Sequence, residues 1–100
     1  MTDLFDTTQI NNMTLGNRFV RSATWEGMAA DDGAVTARLT ETVTELARGG
    51  VGLIISGHSY VVPEGQAGPK QMGLYKDELI NGLTSMTDAV HKAGGKMVAQ

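Results

Sequence analysis

The sequence contains no cysteine, only two prolines and a single tryptophan among its 100 residues. Without cysteine there is no disulfide framework, thiolate ligand or cysteine nucleophile within this stretch. That fits a cytoplasmic location, and a cytoplasmic protein is expected. No cluster of lysine and arginine occurs, and the net charge is −3 with a pI near 5.2. Neither nucleic acid nor an anionic membrane is therefore an expected partner. Asp3 and Asp6 interrupt the first residues, which lack the apolar stretch of a secretory signal. The longest apolar run is Val51 to Ile55, far too short to cross a bilayer. The two histidines, His58 and His91, stand far apart and offer no metal-ligand spacing.

What is present has the composition of a globular protein, with 41% hydrophobic and 19% charged residues. Leu4 to Leu15 alternates weakly around Asn11-Asn12, a pair that tolerates positive φ and predicts a tight hairpin. Arg18-Phe19-Val20-Arg21-Ser22 reads as a first strand, and Thr24 to Val35 as a loop. Thr36 then caps a helix whose stripe is Leu39, Val43, Leu46 and Ala47, stopped by Gly49-Gly50. The apolar run Val51 to Ser56 predicts a strand buried on both faces, as in a parallel sheet.

The pattern repeats. Gly57 to Tyr75 is a long loop with both prolines, and Lys76 to Ala93 is an amphipathic helix with Leu79, Leu83, Met86 and Val90 on one face. Gly94-Gly95 stops it, and Lys96 to Gln100 reads as a third strand. Alternating strands and helices with short αβ turns imply parallel strands and right-handed crossovers. The connections leaving the strands are long and the returns are little more than Gly-Gly. In α/β folds those long loops build the site.

The functional positions are therefore the strand ends: Ser22-Ala23-Thr24-Trp25-Glu26, Ser56-Gly57-His58, and Gln100. Small residues let backbone amides approach a flat ligand, and Gln100 offers a donor and an acceptor on one carboxamide. Gly50-Val51-Gly52 precedes its strand and so is not a dinucleotide-binding turn. Against these, His58 reads more readily as a loop histidine than as a catalytic one. His91 falls on the solvated face of its helix. Trp25 stands between packing under the long loop and a place beside a ligand. Glu26, Asp31 and Asp32 read as a solvated, flexible loop, and the six methionines as core or loop filler.

At these strand ends a resemblance emerges. Asn17-Arg18-Phe19-Val20-Arg21-Ser22-Ala23-Thr24 resembles the segment opening the barrel of the Old Yellow Enzyme family, the NADH:flavin oxidoreductases. Leu4-Phe5 and Ile10 to Gly16 resemble that family's N-terminal hairpin, Gly50 to Ile55 its second strand, and Gly73-Leu74-Tyr75 followed by a helix and then Gly95 to Gln100 its third. The resemblance covers essentially the whole chain.

It implies an α/β fold comprising the first two and a half units of a (β/α)8 barrel, with an N-terminal β-hairpin and the barrel left incomplete. Residues 1–16 would be the hairpin cap, and 17–100 strands one to three with two helices. Since such barrels need eight strands and about 250 residues, the isolated chain is expected to be marginal and without turnover of its own. The resemblance further implies an FMN cofactor with NADH or NADPH as electron donor, and a small-molecule substrate such as an enone or dienoyl compound whose activated C=C bond is reduced. It leaves a homo-oligomeric full-length protein open. Ser22, Ala23 and Thr24 would pass along the flavin, with Trp25 and His58 beside it and Gly57 against the ring. Gln100 would bond its pyrimidine part. Trp25 stands where the family often has Thr or Cys, and His58 where it has a small residue. Catalytic residues are expected outside this segment. Two other readings remain: a β/α enzyme of unrelated chemistry, and a non-catalytic truncated fragment.

Overall fold

In the computed structural model, which describes residues 3–100, three parallel strands lie between a floor hairpin and a rim of long loops. The hairpin pairs β1 (Thr8–Ile10) with β2 (Met13–Leu15). Ile10 faces Met13 across the two-residue turn, and Asn11 adopts φ +50°, the left-handed conformation that its short polar side chain tolerates. Leu15 is fully buried and anchors the hairpin.

The central sheet is built from β3 (Val20–Arg21), β4 (Leu53–Ile55) and β7 (Met97–Val98), in the order β3-β4-β7. Both pairings are parallel, with Val20 opposite Leu53 and Ile54 opposite Met97. The strands are shorter than the apolar runs suggested, because only their central residues share a ladder. The crossovers are α1 (Ala37–Arg48) and α2 (Ile80–Lys92), which pack on each other and on the sheet. Leu39, Val43 and Ala47 of α1 meet Met86 and Val90 of α2 over Ile54. Each stripe is the one its 3.6-residue spacing dictates. Thr36 caps α1, its hydroxyl accepting from the Leu39 amide at 3.2 Å.

By strand alternation Val20, Leu53, Ile55 and Val98 share the opposite face of the sheet. Leu53 is buried, but Val20 and Val98 are exposed. The sheet is thus covered by helices on one side, and no closed barrel forms among the described residues.

Two features depart from the sequence reading. The long connection after β4 is not structureless: β5 (Ser59–Tyr60) and β6 (Met72–Gly73) pair in parallel within it. The second helix begins with a 3₁₀ turn at Asp77–Leu79 and becomes α-helical only at Ile80.

Both helices end in the same Schellman geometry. After α1, the Gly50 amide donates to Ala47 and the Val51 amide to Leu46. After α2, Gly94 donates to His91 and Gly95 to Val90. The left-handed residue is Gly50 (φ +95°) in one case and Gly94 (φ +87°) in the other, whereas Gly49 keeps a right-handed φ of −72°. The two glycines of the first pair are therefore not equivalent. Gly50→Ala is expected to cost about 1–2 kcal/mol of unfolding free energy, the penalty of a side chain in the left-handed region. Gly49→Ala should instead be neutral or stabilise by roughly 0.4–1 kcal/mol, by restricting the unfolded chain. Urea unfolding of both variants checks the contrast.

Candidate functional site

The order β3-β4-β7 sets the C-terminal ends of three strands side by side, and hydrogen bonds tie those ends together. Arg21 ends β3. Its Nη1 donates to Glu26 Oε2 at 2.9 Å and to the Ile55 carbonyl at 3.1 Å, and its Nη2 reaches the Thr24 carbonyl at 3.4 Å. The same Glu26 oxygen accepts from the Gly57 amide at 3.1 Å. One carboxylate thus closes the β3 loop onto the tip of β4. The Arg21 and Glu26 side chains are only 19% and 9% exposed, so water competes little for this pair. The expectation of a solvated, flexible Glu26 is overturned. The only signal in the sequence was the opposite charges bracketing a strand end, five residues apart.

A second strut joins β4 to β7. Ser56 is buried, and its Oγ donates to the Gly57 carbonyl at 2.9 Å while accepting from the Gln100 amide at 3.1 Å. The Ser59 amide returns a bond to the Gln100 carbonyl at 2.9 Å. Positions 22–26, 56–59 and 100 therefore lie on one rim.

Along that rim Ser22 and Thr24 are exposed, Ala23 is half-buried, and Gln100 is exposed. The backbone N–H groups of Ala23, Thr24 and Trp25 donate to no acceptor among the described residues, nor does the Gln100 carboxamide bond to any of them. Gly57 is buried, and a Cβ there would come within 2.5 Å of Glu26 Oε1 and 2.7 Å of the Thr24 carbonyl. Only glycine lets the two strand tips approach this closely.

Trp25 is 53% exposed and is not tucked under the long loop. His58 is exposed as well. The two border a cleft of 310 Å³ completed by Ala67, Gly68 and Pro69. His91 is exposed at the far end of α2, away from the rim.

The loops are also joined to each other. Lys76 Nζ donates to Asp32 Oδ2 at 3.2 Å, the Tyr75 hydroxyl to the Asp32 carbonyl at 2.9 Å, and the Gly73 amide to the Gly33 carbonyl at 3.0 Å. Asp32 is thus solvated but not free, a second correction to the expected loop. The Ala34 amide and then Lys76 hold its carboxyl below the ordinary 3.8, and the bond to Asp32 raises the Lys76 ammonium above 10.5. Burial, then the stacked Tyr75 ring 5.2 Å away, pushes the Tyr60 phenol up.

With this geometry in view, comparison with known proteins gives a consistent answer. A model described as the NADH:flavin oxidoreductase / NADH oxidase family matches residues 3–100. The chain belongs to that family. The N,N-dimethylglycine/sarcosine dehydrogenase of Chromohalobacter salexigens is 38% identical over 99 residues, covering 97% of this chain and 14% of that protein. The NADH oxidase of Thermoanaerobacter brockii is 35% identical, covering 98% of this chain and 15% of its own length. The solved old yellow enzyme homologue from Zymomonas mobilis superposes with a TM-score of 0.89 at 32% identity, over 97% of this chain and 27% of that one. The family resemblance read from the strand ends therefore holds, and the chain spans a small part of the length of the relatives it matches. No described helix is long and apolar enough to cross a membrane.

Two outcomes test the rim. Glu26→Ala leaves the Arg21 guanidinium and the Gly57 amide without their shared acceptor and should destabilise by roughly 3 kcal/mol. Glu26→Gln, which keeps one acceptor oxygen, should lose less in the same denaturant titration. For the loop tether the signs follow from the shifts. A carboxyl held low contributes fully above 3.8 and loses its contribution as pH falls through its depressed value; an ammonium held high contributes fully below 10.5 and loses it as pH rises through its raised value. An NMR titration of the Asp32 carboxyl carbon should accordingly give a midpoint below 3.8, moving up towards that value in Lys76→Met.

Proposed function

We propose that the chain supplies the first three barrel strands, the first two helices and the floor hairpin of an FMN-dependent oxidoreductase. Residues 3–16 would form its floor and 17–100 its first units; residues 1 and 2 of the expected cap lie outside the described residues. The complete enzyme would take electrons from NADH or NADPH and reduce the activated C=C bond of a small enone or dienoyl compound. Family membership supports the flavin and the oxidoreductase class.

One observation carries the cofactor reading: three uncommitted backbone N–H groups at Ala23 to Trp25 share a rim with the uncommitted carboxamide of Gln100. A flavin's pyrimidine half presents alternating carbonyl oxygens and N–H groups on a flat ring. Donors along one edge and a donor-acceptor amide at the other suit that pattern. The buried Ser59 hydroxyl has no partner among the described residues and lies next in sequence to His58 on the same rim. These groups fit the cofactor, and their chemistry fails to fit a phosphate, for which no cationic or glycine-turn cradle exists here.

In the holoenzyme Ser22, Ala23 and Thr24 would hold the flavin edge through their backbone, with Gly57 letting the second strand tip lie close to the ring. Gln100 would orient the pyrimidine side. Trp25 and His58 would border the ring at its open edge. When bound, FMN would carry the hydride between the nicotinamide and the substrate. The Arg21–Glu26 pair does not reach the rim's open side; it fixes the backbone that does. Catalytic acids and substrate-carbonyl ligands are not assigned among these residues.

The test is a titration of the full-length protein with FMN. Binding should shift the visible flavin band, and Gln100→Ala should weaken affinity about five- to tenfold, the worth of one net hydrogen bond. An unshifted band at saturating flavin would sink the reading. So would a Gln100→Ala protein that binds FMN as tightly as the parent.

A further inference from the structure

The cleft at the rim's open edge has walls that are fixed before any ligand arrives. The indole of Trp25 lies against Gly27: a Cβ at that glycine would sit 3.0 Å from Cζ2 and 3.2 Å from Cη2, and Gly27 itself holds φ +65°. A tryptophan more than half exposed to water thus lies against a backbone position whose positive φ and close approach favour glycine. The facing wall is fixed by Gln71, which is 2% exposed. Its Oε1 accepts from the Ala67 amide at 2.6 Å and its Nε2 donates to the His58 carbonyl at 3.2 Å. This buried carboxamide clamps the Ala67–Pro69 loop to the β4–β5 connection. Trp25, His58, Ala67, Gly68 and Pro69 line an open cleft of 310 Å³.

None of these five residues is formally charged. Glu26, next to Trp25 in the chain, is paired with Arg21, and Lys70, next to Pro69, borders the neighbouring cleft with Gly27 and Asp31 instead. An occupant carrying a phosphate, carboxylate or ammonium would lose hydration here with no opposite charge in return. A neutral flat ring would instead stack on the indole and meet Pro69 on its other flank, with His58 bordering the same cleft. The volume lies near the lower bound for small-molecule sites, which limits the occupant to one or two fused rings.

We infer that Trp25 is a specificity-determining residue, and that the Trp25–His58 cleft is a subsite selecting neutral, planar aromatic-ring substrates over non-aromatic ones. The inference uses the flavin reading only to say that the reacting bond lies beside the cleft. The subsite itself stands on the chain's own side chains.

Equilibrium dialysis of the full-length protein tests it, with coumarin as the planar probe and 2-cyclohexenone as the non-aromatic one. Trp25→Leu should raise the coumarin Kd about fivefold while changing that of cyclohexenone by less than about twofold, the difference expected of one aromatic stack. Trp25→Phe should recover most of the coumarin affinity, which a purely structural role for the indole would not predict. A coumarin Kd unmoved by Trp25→Leu overturns the inference. An equal loss for both probes, or a parent protein that does not bind coumarin, overturns it too. Flavin absorbance read on the same samples separates the two ideas. Protein without FMN that still prefers coumarin through Trp25 would retain the subsite and lose the cofactor reading.

Discussion

A parallel strand must end somewhere, and where it ends its backbone groups need partners. In this chain one carboxylate meets that need for two strands at once. Glu26 accepts from Arg21, at the end of β3, and from the amide of Gly57, just past the end of β4. The guanidinium in turn satisfies the carbonyls of Ile55 and Thr24. A buried ion pair of this kind contributes little net stability against a well-packed apolar alternative, since desolvation offsets much of the attraction. What it provides is register: the tip of β3 is tied to the tip of β4, while the amides of Ala23 to Trp25 find no acceptor among the described residues. Ser56 does the same between β4 and β7 with a neutral hydroxyl.

The helices, the parallel strands and the hairpin were legible because each carries a periodicity that side-chain burial enforces. The stripes Leu39-Val43-Ala47 and Met86-Val90 became the core because no other face of either helix is apolar. Asn11-Asn12 became a turn because few residues accept φ +50°. The rim contacts were not legible. That Glu26 folds back onto Arg21 depends on the backbone between them turning, and nothing in Ala23-Thr24-Trp25 announces a turn. The β5–β6 pair escaped for a related reason: two-residue strands have no period to read. The positions 22–26, 56–58 and 100 were singled out by topology, since strand ends in an α/β fold share one side. The structure brings them together.

Family membership and local physics divide the explanation between them. The family accounts for why three strand tips converge beneath a long-looped rim. It does not by itself account for how a tryptophan and a histidine at the edge of that rim are held. Here the indole lies against Gly27, and the buried Gln71 ties the His58 backbone to the Ala67 loop, so both positions have local support. A surface aromatic without such support would sample several rotamers, and each would present a different shape to a ligand.

The two helix ends offer a last point. Each return from helix to strand is a four-residue link opened by a Schellman turn, 49–52 after α1 and 93–96 after α2. An insertion there would have to break that turn or shift a helix along its strand. The long connections at the other end are joined to each other by side chains and a few amides, and can change length while the framework below them stays put. The fold therefore separates a side where sequence drift is punished from a side where it is free to experiment, and new substrate preferences can arise on the second without renegotiating the first.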